Sequence, residues 1–110
     1  MGNSPTHDEL MNATEYDVAI GDDAIILTEI GTTYADAIEN QQTYLQIDLQ
    51  PRYQPTLYVR NSGSEMLTMH HYETEQNKRI IDLACKIATK YSDYDYSIED
   101  SGNYPLVVRA

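Results

Sequence analysis

Residues 56–92 constrain the fold of this chain more than any other stretch. Two short apolar segments flank a polar turn, and the longest segment with helical periodicity follows them. Apolar residues at i, i+3, i+4, i+7 and i+11 share one helix face, and these places hold Ile80, Leu83, Ala84, Ile87 and Tyr91. The stretch therefore predicts a strand, a turn, a second strand and an amphipathic helix that Thr74 caps.

Three more strands and a short helix are predicted before that stretch. Apolar runs on both sides of the turn at 21–23 predict a β-hairpin over 18–30. Thr33 opens a capping-box pattern that predicts a short helix over 33–41. Alternating apolar and polar residues over 43–49 predict a half-buried strand.

The two ends of the chain carry shorter signals. Residues 1–16 predict an N-terminal arm or a short helix, capped either by Ser4 or by Thr6 with Glu9. At the other end, 104–108 predicts a last short strand.

Together these elements predict an α+β fold in one domain of residues 1–110. We expect a mostly antiparallel sheet of about five to six strands. The long helix of the C-terminal half and one or two short helices are expected on one face of that sheet. In the strand after the polar turn, Leu67 and Met69 are the apolar pair, so both are expected to face the core.

Charge is distributed unevenly along the chain. The formal net charge is −11, and every acidic residue up to Asp48 precedes the first basic residue, Arg52. This excess repels nucleic-acid phosphates, so direct binding to nucleic acid is not expected. A basic protein surface would instead be attracted. The same charge also fits a protein that is simply soluble or that comes from a saline habitat.

The rest of the composition argues against several kinds of site. The single cysteine, Cys85, rules out an internal disulfide and a cysteine zinc cage, and it is expected to be a small buried hydrophobe. His71 and Glu73 share one strand face but are too few to hold a metal. No complete catalytic constellation is present, and no apolar run approaches the roughly 18 residues that span a membrane. A non-enzymatic cytoplasmic protein without metal or cofactor is therefore expected.

Two groups of residues form the candidate interaction surface. The first consists of acidic residues expected to share one negative face, namely Asp22, Asp23, Glu29, Asp36, Glu39 and Asp48. The second alternates carboxylate and tyrosine after the long helix, as Asp93, Tyr94, Asp95 and Tyr96. Tyrosine is enriched at binding surfaces. Because the chain has ten tyrosines and no phenylalanine or tryptophan, some of them are also expected to fill the core.

The polar turn is the local candidate for an anion site. It brings together a guanidinium, two hydroxyls and a bare glycine backbone, from Arg60, Ser62, Ser64 and Gly63. Followed by Glu65, this turn resembles the phosphate-binding loop in the C-terminal domain of the phosphohexomutases, the family of phosphomannomutase and phosphoglucosamine mutase. That loop reads roughly Arg-x-Ser-Gly-Thr-Glu-Pro. The resemblance covers residues 56–92 and implies that Arg60, Ser62, Gly63 and Ser64 would hold the phosphate of a phosphosugar.

The sequence thus predicts a non-enzymatic, acidic interaction module that binds a basic surface of another protein, including a nucleic-acid-binding protein. An inhibitor, an immunity protein, a nucleic-acid mimic or an assembly component of a virus or mobile element fits this description, and a homo-oligomer stays open. The alternative is a phosphosugar- or anion-binding domain.

Overall fold

The computed structural model of the chain describes residues 4–61 and 65–110, and within them three helices and seven strands occur. Their order is α1 (His7–Asn12), β1 (Tyr16–Gly21), β2 (Ala24–Glu29), α2 (Tyr34–Glu39), β3 (Thr43–Asp48), β4 (Thr56–Asn61), β5 (Glu65–His71), α3 (Glu75–Tyr91), β6 (Tyr96–Asp100) and β7 (Pro105–Arg109). The predicted α+β class is confirmed. The sequence patterns do not predict strand β6.

Strands β1 to β5 form one antiparallel sheet in chain order, and β6 pairs with β7 in a separate two-stranded ribbon. One face of the large sheet carries the main core, in which side chains of β2, β3 and β4 pack against α1 and α3. Leu27, Leu45 and Leu57 are fully buried there. Truncating such a leucine to alanine costs about 2–5 kcal/mol, so this layer holds the fold together.

The opposite face of the sheet carries a smaller core beneath α2. Ile25 belongs to the main core, whereas its neighbour Ile26 packs with Ala37 of α2 and with Tyr44. Successive strand residues point to opposite faces, so α2 lies on the other side of the sheet from α3. The expectation that all helices share one face is corrected in this respect.

Strand β5 faces the other way from its predicted orientation. Leu57 pairs with His70 and Val59 with Thr68, and paired residues share a face. Because Leu57 and Val59 are buried in the main core, Thr68 and His70 lie on the face of the sheet that α1 and α3 cover. Leu67 and Met69 lie on the opposite face, each 49% exposed, so the prediction that they face the core is wrong.

Three threonines begin the helices, as their sequence patterns predict. Thr6 and Glu9 form the capping box of α1, and the side chains of Thr33 and Thr74 accept from the backbone N–H three residues on. The buried face of α3 includes Ile81 and Cys85, so Cys85 is buried as predicted. Tyr91, the last residue of α3 that the sequence pattern places in the core, is instead 61% exposed. Among the described helices, none is both long and apolar enough to span a membrane.

The β6–β7 ribbon closes one end of the main core. Tyr96 and Val107 pack into this core with α3. The ribbon is also tied to the loop before β4, because the N–H of Arg52 donates to the carbonyl of Val107 at 2.9 Å and the N–H of Val107 donates to the carbonyl of Tyr53 at 2.9 Å. The ribbon is thereby fixed against the loop that precedes β4.

Candidate partner-binding cleft

An open cleft of about 540 Å³ lies between the β1–β2 turn, the C-terminal end of α3 and the β6–β7 ribbon. Its lining is unusual because large apolar and aromatic side chains stay in contact with water. Ile20 and Tyr94 are each 48% exposed there, and Tyr91 is 61% exposed. The remaining lining residues are Gly21, Asp22, Asp23, Ser92, Tyr96 and Arg109. We call this surface the tyrosine–aspartate cleft.

The cleft is held in shape by contacts to Asp23. The Tyr96 hydroxyl donates to Oδ1 of Asp23 at 2.9 Å, and Nη1 of Arg109 donates to the same oxygen at 3.0 Å. Asp23 has a φ of 55°, in the left-handed region that aspartate tolerates better than most residues. Burial is the main cause that raises the pKa of Tyr96. Asp23 and Tyr96, both predicted to touch a partner, are therefore used within the chain to join the hairpin to the ribbon.

The exposed tyrosine rings already attract cations of the same chain. The Arg109 guanidinium lies 4.3 Å from the ring centre of Tyr94, and the Lys90 ammonium lies 5.3 Å from that of Tyr91. Both distances are within the range of cation–π attraction. Asp22 lines the cleft, and Asp93 and Asp95 flank Tyr94 in the chain, all three exposed. Rings and carboxylates together offer the surface that a cationic side chain prefers.

The other predicted acidic residues do not form one face with this cleft. Asp48 lies near it, because Asp22, Asp23 and Asp48 line one adjoining depression of about 240 Å³. Glu29 lies at the opposite end of β2 from the turn, where it pairs with Tyr16. Asp36 and Glu39 lie on α2. The structure thus joins the hairpin-tip acids to the tyrosine-bearing loop and leaves Glu29, Asp36 and Glu39 elsewhere.

Sequence reasoning missed Ile20, Tyr91 and Arg109 as members of the site. Tyr91 follows the apolar period of α3, which predicts a buried position for it. The alternation along β1 predicts that Ile20 faces the core. However, β1 is an edge strand of the sheet, and the side chain of Ile20 stays exposed to water. No local pattern marks Arg109, which is 86 residues from its partner Asp23.

A second cluster of titratable groups joins α1 to β5. Nε2 of His7 lies 3.0 Å from Nε2 of His70, and Nδ1 of His7 lies 3.3 Å from Oδ1 of Asp8. Burial is the largest cause that lowers the pKa of His70, and the electrostatic effect of His7 is the next. Within the described ranges, no group of three or more His, Cys, Asp or Glu residues is arranged to hold a metal ion.

The candidate anion site is only partly described. Ser62, Gly63 and Ser64 lie outside the described residues. Arg60 lies on the α2 side of the sheet, where it pairs with Tyr44 across the strands. Its guanidinium is 5.9 Å from the ring centre of Tyr58. The pKa of the Tyr44 hydroxyl is raised to about 12, mainly by burial, while Arg60 acts in the opposite direction. Arg60 is therefore engaged with tyrosines of the sheet.

Comparison with known proteins adds no relative: the chain matches no family of known proteins, no curated protein and no solved structure.

Proposed function

We propose that this chain is a non-enzymatic interaction module that binds a basic surface of another protein through the tyrosine–aspartate cleft. The observation that carries the proposal is the exposure of Ile20, Tyr91 and Tyr94 around one cleft that also holds Asp22. Exposed aromatic residues in a concave surface are typical anchors of protein interfaces. The carboxylates around them select for positive charge.

The contacts of Arg109 indicate how a partner's cation would be held. One guanidinium already stacks on Tyr94 while it pairs with Asp23 at 3.0 Å. A second arginine or lysine from a partner would find the carboxylates of Asp22, Asp93 and Asp95 in the same region. It could also replace Lys90 at the ring of Tyr91. The net charge of −11 would steer such a partner toward the chain.

A nucleic-acid-binding protein is the kind of partner that this chemistry favours. Its binding surface is basic because it must neutralise phosphates. A chain that occupies that surface with carboxylates and aromatic rings excludes the nucleic acid. This action fits the inhibitor, immunity or mimic class and requires no catalytic group.

A titration of the ¹⁵N-labelled chain with a hexa-arginine amide peptide tests the proposal. We expect amide shifts that saturate and are confined to residues 20–23, 91–96 and 109, with a hexa-glutamate peptide as the negative control. Added salt should weaken the binding, since exposed charges are screened within about 8 Å at physiological ionic strength. Shifts centred on α2, or shifts spread over all acidic residues, would contradict the assignment of the cleft.

A further inference from the structure

Strand β5 is one of the two edges of the five-stranded sheet. It pairs with β4 alone, so within the described residues its outer edge has backbone N–H and C=O groups without a neighbouring strand. Such an edge is a template for pairing with a further strand. Natural edges are often protected by lysine or proline, and β5, with the sequence EMLTMHH, has neither.

A row of apolar side chains lies beside this edge. Met66 is 52% exposed, and Leu67 and Met69 are each 49% exposed. The pairing shifts by one residue between Val59 and Arg60, which leaves Leu67 as the extra residue of a β-bulge. Met69 pairs with Tyr58 and Met66 with Arg60, so the row lies on the face of the sheet that carries α2, and the main contacts of α2 are with β1 and β2 at the other end of the sheet. The row is left in water.

Charge distinguishes β5 from the other edge strand, β1. Val18 and Ile20 of β1 are exposed to a similar degree, at 43% and 48%. However, β1 carries Asp17 and is bracketed by Glu15 and Asp22, so two copies that met there would bring carboxylates together. The only acidic residue of β5 is Glu65, at its first position, and the strand ends in two histidines. On a chain of net charge −11, β5 is the edge at which a second copy meets less repulsion, and a basic partner finds little complement there.

We propose that two copies of this chain pair through β5, antiparallel, about a two-fold axis at Thr68. Such a symmetric contact joins the two five-stranded sheets into one continuous sheet of ten strands. Over Leu67 to Met69 the sheet keeps its faces only if paired residues are both odd or both even in number, because the bulge reverses this alternation before Leu67. With Thr68 opposite itself, Leu67 of each copy lies opposite Met69 of the other, and this places apolar pairs on both sides of the axis.

Sedimentation velocity of the full chain tests the dimer. We expect a species of about twice the 12.5 kDa chain mass, which dissociates on dilution. Raising the salt concentration should strengthen the dimer, because it screens the repulsion between two acidic chains. In Met69→Lys an ammonium replaces the apolar contact, and a monomer is expected at concentrations where the wild type is dimeric. Val18→Lys makes the same exchange at the other edge and should leave the dimer intact. Circular dichroism checks that both variants are folded.

A cysteine at the two-fold axis tests the register. Opposed strand residues have Cα atoms about 4.5–5.5 Å apart, which is within the range that a disulfide spans. Oxidised Thr68→Cys should therefore form a covalent dimer, whereas Met69→Cys should not, because its opposite residue is Leu67. The native Cys85 is buried and serves as the internal control. A monomeric wild type, a dimer that Val18→Lys disrupts as much as Met69→Lys does, or cross-linking of Met69→Cys in preference to Thr68→Cys overturns the proposal.

Discussion

Replacing Tyr96 with phenylalanine removes one hydroxyl from the contact that joins the β1–β2 turn to the ribbon. That hydroxyl donates to the Asp23 carboxylate at 2.9 Å. A hydrogen bond to a charged group contributes roughly 1.5–3 kcal/mol. The Asp23 side chain is 32% exposed, so water can replace part of the lost contact. We therefore expect Tyr96→Phe to lower the free energy of unfolding by about 1–2 kcal/mol, or the melting temperature by about 4–8 °C.

Urea unfolding followed by circular dichroism measures this change, provided that the slope with denaturant is the same in each variant. Tyr94→Phe is the matched control: its ring stays under Arg109, and its hydroxyl makes no hydrogen bond to the described residues. A double-mutant cycle of Tyr96→Phe and Asp23→Asn measures the interaction between these two side chains. Asparagine is the suitable replacement because it also tolerates the positive φ of this position. A coupling of about 1 kcal/mol is expected. The role given to this contact would be refuted if the effects of Tyr96→Phe and Asp23→Asn on the free energy of unfolding were additive. It would also be refuted if Tyr94→Phe lowered that free energy as much as Tyr96→Phe does.

Three other expectations concern the sheet and its helices. Burial lowers the pKa of His70 from 6.5, so the unfolded chain binds a proton at this histidine better than the folded chain does. The free energy of unfolding should therefore fall as the pH drops below about 6.5 and level off below the pKa of the folded state. In His70→Gln, this part of a plot of urea midpoint against pH should be flatter. Burial raises the pKa of Cys85 to about 12, with Asp82 as the second cause, so a thiol reagent should label it only on unfolding, and rapid labelling of the native chain would contradict its burial. Phosphate or glucose 6-phosphate should leave the melting temperature unchanged, because Arg60 is engaged with Tyr58; a rise that Arg60→Ala abolishes would instead support the anion-binding alternative.

Local patterns in the sequence predict the elements of this fold well. Thr6, Thr33 and Thr74 cap their helices because the hydroxyl that satisfies a free N–H lies only three residues away in the chain. The hairpin around 22–23 is equally local, since a two-residue turn sets its own register. These features need no information from the rest of the molecule.

The orientation of β5 could not be predicted from its own residues. Leu67 and Met69 are more apolar than Thr68 and His70, yet the pairing with β4 decides which pair faces the main core beneath α1 and α3. Leu57 and Val59 of β4 must be buried, and their partners His70 and Thr68 follow them to that face. Two polar groups on that face have partners: Nε2 of His70 lies 3.0 Å from Nε2 of His7, and the Tyr72 hydroxyl donates to Asp82 at 2.9 Å.

The cleft escaped prediction because its parts are distant in sequence. Ile20 and Asp22 precede Tyr91 and Tyr94 by about seventy residues, and the ribbon that brings them together includes the unpredicted strand β6. The alternation of aspartate and tyrosine over 93–96 does include two residues that line the cleft, Tyr94 and Tyr96. The rest of the cleft depends on the contact between Asp23, Tyr96 and Arg109, for which the sequence contains no local signal.

Two charge reversals of equal size test most directly whether the cleft, rather than the overall charge, binds a basic partner. One variant carries Asp22→Lys, Asp93→Lys and Asp95→Lys, and the other carries Glu29→Lys, Asp36→Lys and Glu39→Lys. Both change the net charge by the same amount, so long-range attraction of a hexa-arginine peptide falls equally. Calorimetric titration should show that the cleft variant binds about tenfold more weakly than the other variant, since it alone loses direct contacts. Equal affinities of the two variants would contradict the account, because net charge alone would then explain the binding.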